Sequence, residues 1–115
     1  MNVKSLYDAV VLRAPCSHNR FLTHLDTTVR TLTAQYSMPY VVECGESYGF
    51  PRSVENDIPV YEEYFPAILD NILFLLTGDE ARKADYVREA EAAYKSVWSA
   101  KAKGMKILDR GYYNV

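Results

Sequence analysis

Cys16, His18 and His24 are the side chains of this sequence best suited to nucleophilic or metal chemistry. Cys16-x-His18 sets a thiol beside an imidazole near the start of a helix. His24 follows six positions after His18, a spacing that points two helical side chains in different directions, so the pair closes no metal site without a third ligand. A thiol–imidazole nucleophile needs an orienting residue and a loop to hold an oxyanion, and neither is visible. Gly45 and Gly49 match neither nucleotide-binding glycine pattern. The acids are spread along helix faces, where solvation accounts for them. No catalytic centre, metal or cofactor is expected, and the chain does not read as an enzyme.

What remains is a chemistry of surfaces. From Lys95 to Arg110 the bases Lys95, Lys101, Lys103, Lys106 and Arg110 face only Asp109, with Tyr94 and Trp98 alongside. Bases interleaved with rings grip phosphates and stack on nucleobases, which points to a small DNA-binding regulatory protein. The same charges equally suit the negative end of a helix or an acidic protein surface. The formal charge of −2 gives no general attraction to nucleic acid or to anionic membranes. No helix-turn-helix signal accompanies the basic end. Ten tyrosines and one tryptophan in 115 residues suit surfaces that are apolar yet partly wet, as protein interfaces are.

The elements that position these residues read as an all-α, four-helix bundle-like domain over residues 1–104, followed by a C-terminal tail, 105–115. Val3, Leu6, Tyr7 and Val10 lie at helical spacing behind an Asn2 cap, and Pro15 stops that run. From Ser17 or His18 to Tyr36, the positions Phe21, Leu22, Leu25, Val29, Leu32 and Tyr36 form a packing seam. Five threonines (Thr23, Thr27, Thr28, Thr31 and Thr33) lower helix propensity there, so packing must hold the helix.

Tyr64 to Lys103 predicts two antiparallel helices joined at Thr77-Gly78-Asp79, with Gly78 closing the first and Asp79 capping the second. In the first of these, Tyr64, Phe65, Ile68, Leu69, Ile72, Leu75 and Leu76 share a face, with Glu63, Asp70 and Thr77 opposite. Pro66 fits only in its first turn. In the second, the expected stripe is Val87, Ala90, Tyr94, Val97 and Trp98, flanked by Tyr86 and Ala93. Its greater length makes the end with Val97, Trp98 and Lys101 overhang unless the first helices of the chain reach across to cover it. Phe74 projects on the polar side, and beside Trp98 it would make an intersubunit contact.

Residues 37 to 62 lose the helical pattern and form a long irregular crossover between the second and third helices, with a short strand at Tyr40 to Val42 as its one regular element. Its rings Tyr40, Tyr48 and Phe50 favour a docking loop over a plain tether. The tail ends in Tyr112 and Tyr113, too short to fold alone, and lies on its own domain or pairs with a neighbour. Cys16 and Cys44 allow one disulfide, yet Leu6 to Leu12 lacks the basic leader and cleavage site of a secretory signal, so reduced thiols are expected. The run Ile68 to Leu76 is far short of a membrane span.

The order of elements, sharpest over ILDNILFLLTGDEARKADYVREAEAAYKSVWSAKAKGMKILDRGYY (Ile68 to Tyr113), resembles the small helical head-to-tail connector proteins of tailed bacteriophages, also called adaptor or head-completion proteins. The resemblance implies a structural virion protein that docks as a ring beneath the capsid portal, twelve copies to match it, and extends the DNA channel toward a neck or tail-completion protein. DNA would pass through without being a ligand. It implies a place at the head–tail interface, and in the host cytoplasm during assembly. Lys106 to Val115 would reach into the portal, while Tyr40, Tyr48, Phe50, Phe74, Tyr94, Trp98, Lys101, Lys106, Arg110, Tyr112 and Tyr113 would be subunit or partner contacts. A host-directed inhibitor of one bacterial protein is a third class consistent with the sequence.

Overall fold

Asn2 opens the first helix, its side-chain oxygen accepting the Ser5 N–H at 2.9 Å. The computed structural model describes residues 1–36, 58 and 60–105, and the side chains of these residues up to 99. Helix α1 spans Val3–Val11 and buries Val3, Leu6 and Val10. It ends at Leu12, short of Pro15. Tyr7 then pins the turn to the next helix: its hydroxyl donates to the Cys16 carbonyl at 3.1 Å, and its ring meets Phe21 edge-on at 5.1 Å.

Helix α2, His18–Tyr36, begins with Ser17 accepting the Arg20 N–H and buries Phe21, Leu22, Leu25, Thr28, Val29 and Leu32. Its threonines are accommodated by bonding back along their own helix. The hydroxyls of Thr23, Thr28, Thr31 and Thr33 donate to the carbonyls of Asn19, His24, Thr27 and Val29. Thr28 does more, accepting the Asn71 side-chain amide at 2.7 Å across the core.

Ile58 and Val60 are buried just before a 3-10 turn, Glu62–Tyr64, although they lie in the stretch whose sequence carries no periodic signal. The Met1 ammonium donates to the Ile58 carbonyl, and the Ile58 N–H donates to the Met1 carbonyl, which ties this stretch to the start of α1. Pro66 falls in the first turn of helix α3, Phe65–Thr77, where its missing N–H costs nothing.

Gly78 closes α3 in the left-handed conformation, φ 76°, and its N–H donates to the Phe74 carbonyl at 2.7 Å. Asp79 accepts the Ala81 N–H at 3.0 Å and so caps helix α4, Glu80–Met105. The all-α architecture is thus four helices among the described residues, with the crossover linking α2 to α3 and the tail following α4. Tyr40–Val42, Tyr48, Phe50, Cys44, Lys106, Arg110, Tyr112 and Tyr113 lie outside the described residues. So does the Lys101 side chain, although the α4 backbone runs through it.

Two expected faces are corrected. On α3 the buried set is Ala67, Ile68, Asp70, Ile72 and Leu73, while Phe65, Leu69, Leu75 and Leu76 are only half-buried. The reason is that α1, α2 and α4 all pack against α3, so burial spreads round the helix and takes in Asp70, expected on the open side. On α4 the expected Ala90 and Val97 are buried, but together with the flanking Tyr86 and Ala93, and Val87, Tyr94 and Trp98 are not. Alanines at the centre of a helix contact suit a close approach, which draws Ala90 and Ala93 inward and leaves Tyr94 and Trp98 outside, while Tyr86 is buried nearer the start of the helix.

A Cβ added at Gly78 would meet no atom within 4 Å, so Gly78→Ala tests the backbone alone. Urea unfolding is expected to show a loss of about 1–2 kcal/mol with an unchanged m-value, and full stability in the variant would refute the left-handed closure.

Candidate interaction face

Helix α4 has two unlike flanks on either side of its buried seam. One carries Val87, Tyr94 and Trp98, which are 53%, 39% and 60% exposed, an unusual amount of apolar surface to leave open on one helix. Tyr36, at the end of α2, extends it, its ring centroid 4.9 Å from that of Tyr94 and 6.2 Å from that of Tyr64. Burial, with Tyr36 and Tyr94 next in weight, pushes the Tyr64 hydroxyl up to about 12, so Tyr64 stays neutral at any physiological pH. Its chemistry is contact through rings.

The other flank is acidic. Asp70 of α3 is 7% exposed and accepts from Arg82 of α4 at 3.0 Å. Glu89 sets its carboxyl against that of Asp70, and its Oε1 is sealed from solvent with no donor among the described residues. Two carboxylates repel at this range unless one is protonated, and then they share a hydrogen bond. The contact with Asp70, followed by burial, holds Glu89 up to about 7. Glu89 also borders a shallow groove of about 280 Å³ between the start of α3 and the middle of α4, lined by Glu63, Pro66, Ala92, Ala93 and Ser96. Sequence reasoning missed this pair. The one available signal was Asp70 itself, an acid within an otherwise apolar helix.

Among the described residues, the candidate contacts Phe74, Tyr94 and Trp98 do not form one site. Tyr94 and Trp98 share a flank, but Phe74 is half-buried at the other end of α4, under Lys83 with Nζ 5.4 Å from the ring centroid. Lys83 and Trp98 are separated by roughly 22 Å of helix, so the expected pairing of Phe74 with Trp98 is corrected. The overhang is corrected in part as well, since Val97 is buried whereas Trp98 is open.

Cys16 and His18 stay at the α1–α2 turn, where the His18 ring stands edge-on to Tyr7 at 4.6 Å and burial pushes the thiol up. A raised thiol is a poor nucleophile at neutral pH. His24 points elsewhere, and burial, then Arg20, lowers its pKa. Among the described residues no three His, Cys, Asp or Glu side chains are gathered to hold a metal, and no helix is long and apolar enough to cross a membrane.

Glu89 binds its proton more tightly in the folded chain than in the unfolded one. The stabilisation is therefore complete below the ordinary carboxylate range and is lost as pH rises through about 7. Glu89→Gln keeps a neutral partner for Asp70 at every pH. Its unfolding free energy, relative to the parent, should rise between about pH 5 and about pH 8; a difference that stays flat with pH would contradict the shared proton.

Comparison with family models, with curated proteins and with solved structures found no match to this chain.

Proposed function

We propose that this chain is an assembly protein that works by completing itself against neighbours, as a head-to-tail connector of the tailed-bacteriophage kind. In this reading copies dock as a ring of twelve beneath a portal, extend the DNA channel and present a surface to the next neck or tail component. Its place is the head–tail junction of the virion, reached through the host cytoplasm during assembly.

The observation that carries the reading is the open flank of α4. Val87, Tyr94 and Trp98 lie on the helix that leads into the C-terminal segment, the part that the resemblance directs toward the portal. Rings exposed in this way are typical anchors of protein interfaces, where a few aromatic residues supply most of the binding energy. The basic residues that follow Trp98 then meet protein, and DNA is only conducted past them.

Electron microscopy of the chain mixed with purified portal is expected to show added ring density on one face of the portal. Trp98→Ala should weaken that association at least about tenfold, the effect of a hot-spot truncation. No binding to portal, together with salt-sensitive retention of duplex DNA, would overturn the reading in favour of a nucleic-acid-binding protein.

A further inference from the structure

Glu89 occupies a place that its ionised form could not keep. Its Oε1 is sealed from solvent, and among the described residues no base pairs with the carboxyl. Arg82, earlier on α4, is spent on Asp70 at 3.0 Å, and Arg88 turns to Asp85 at 2.9 Å. The elements packed most closely against α4, namely α3 and the 3-10 turn, bring no cation either. On α3 the one charged residue is Asp70 itself. In the turn, Glu62 faces the Met1 ammonium at 3.6 Å, Tyr64 meets Tyr36, and Glu63 lines the groove that Glu89 borders. A charged Glu89 would thus face a carboxylate with no base of its own.

We propose that Glu89 is a proton-controlled latch between α3 and α4: protonated, its carboxyl lies against Asp70, and ionised, it swings out into the groove beside it. Two carboxylates in a partly dry contact repel, and the one that has a base stays. Asp70 keeps Arg82 and is 7% exposed, so it is the fixed member. Glu89 is half-buried at the edge of α4, and its side chain can turn about its own bonds while the helix backbone stands still. The space to receive it is already there. The groove of about 280 Å³ offers Pro66, Ala92 and Ala93 to the side-chain stem, and Ser96 a hydroxyl that can donate to the carboxylate.

Opening changes what this side of the domain presents. Closed, the groove is lined by one free carboxylate, Glu63; open, it holds two above an apolar floor. The latch thus turns a change of pH into a change of charge on one face. The change falls near neutral pH, because the contact with Asp70 and then burial hold the Glu89 proton up to about 7, with the pull of Arg88 opposed by Asp85. The device builds on the proton shared with Asp70 and adds a movement to it. It needs neither a portal nor a ring, so it stands apart from the connector reading.

NMR of the isotope-labelled chain reads both halves of the device: the carboxyl carbon shift of Glu89 reports its charge, and nuclear Overhauser contacts report its position. At about pH 5 the Glu89 γ-methylene should contact the Asp70 β-methylene; at about pH 8 that contact should be lost and one to Pro66 gained, with far-UV circular dichroism unchanged. Glu89→Gln has no proton to lose and should hold the Asp70 contact at both pH values. A Glu89 carboxyl that titrates near neutral pH yet keeps its Asp70 contact leaves the shared proton standing and overturns the latch. So does a Glu89 carboxyl already charged at about pH 5, the ordinary behaviour of an exposed glutamate. Release of the contact in Glu89→Gln on the same change of pH, or only together with loss of helix signal, overturns it as well, since the movement would then belong to another group or to unfolding.

Discussion

Helix α3 must be buried on more than one side, and the rest of the fold follows from that demand. Its sequence, FPAILDNILFLLT, carries too much apolar surface to lie on a core with its back to water. The other helices surround it: α4 returns along it through the Gly78 turn, and α1 and α2 cover other sides. Ile58, Val60 and Tyr64 close the end where the chain enters. A helix hemmed in like this has little solvated face, and Asp70 and Asn71 at its middle find their partners inside.

Those partners also fix how the helices register against one another. Asn71 reaches α2 through Thr28, whose hydroxyl is at the same moment tied to the His24 carbonyl. Asp70 reaches α4 through Arg82, and its second neighbour is the Glu89 carboxyl. The apolar contacts are non-directional and would tolerate small rotations of one helix on another. Hydrogen bonds to Thr28 and Arg82 would not, so Asn71 and Asp70 set the azimuth of α3 toward its two neighbours.

Surrounding α3 has a consequence for α4. The line of α4 that meets α3 is Tyr86, Ala90, Ala93 and Val97, small at its centre, and the bulk of the helix's apolar residues is turned outward by the close approach. The domain is satisfied with its alanines and leaves Val87, Tyr94 and Trp98 over. A chain meant to act alone would gain by making these polar. Their place on the helix that runs to the C-terminal segment is the physical basis for the proposed role in an assembly.

Local signals in the sequence determined the helices and their ends. The Asn2 and Asp79 caps, Pro66 in a first turn and the left-handed Gly78 each act within a few residues, so they are legible without knowing what packs against them. Which residues of a helix face inward was not, because that depends on how many neighbours a helix has and how near they come. Periodicity assumes one buried face, which fails for α3 with three helices around it, and on α4 it places Ala90 and Val97 correctly but sets Val87, Tyr94 and Trp98 inside in place of Tyr86 and Ala93. Ile58 and Val60 carry no period at all, and their place in the core is fixed from far off in the sequence, with Met1 bonded to Ile58 on both sides of its peptide. The Asp70–Glu89 pair, drawn from two helices, was decided wholly by tertiary structure: a carboxyl's proton affinity answers to the charges beside it in space, and sequence separation says nothing about those.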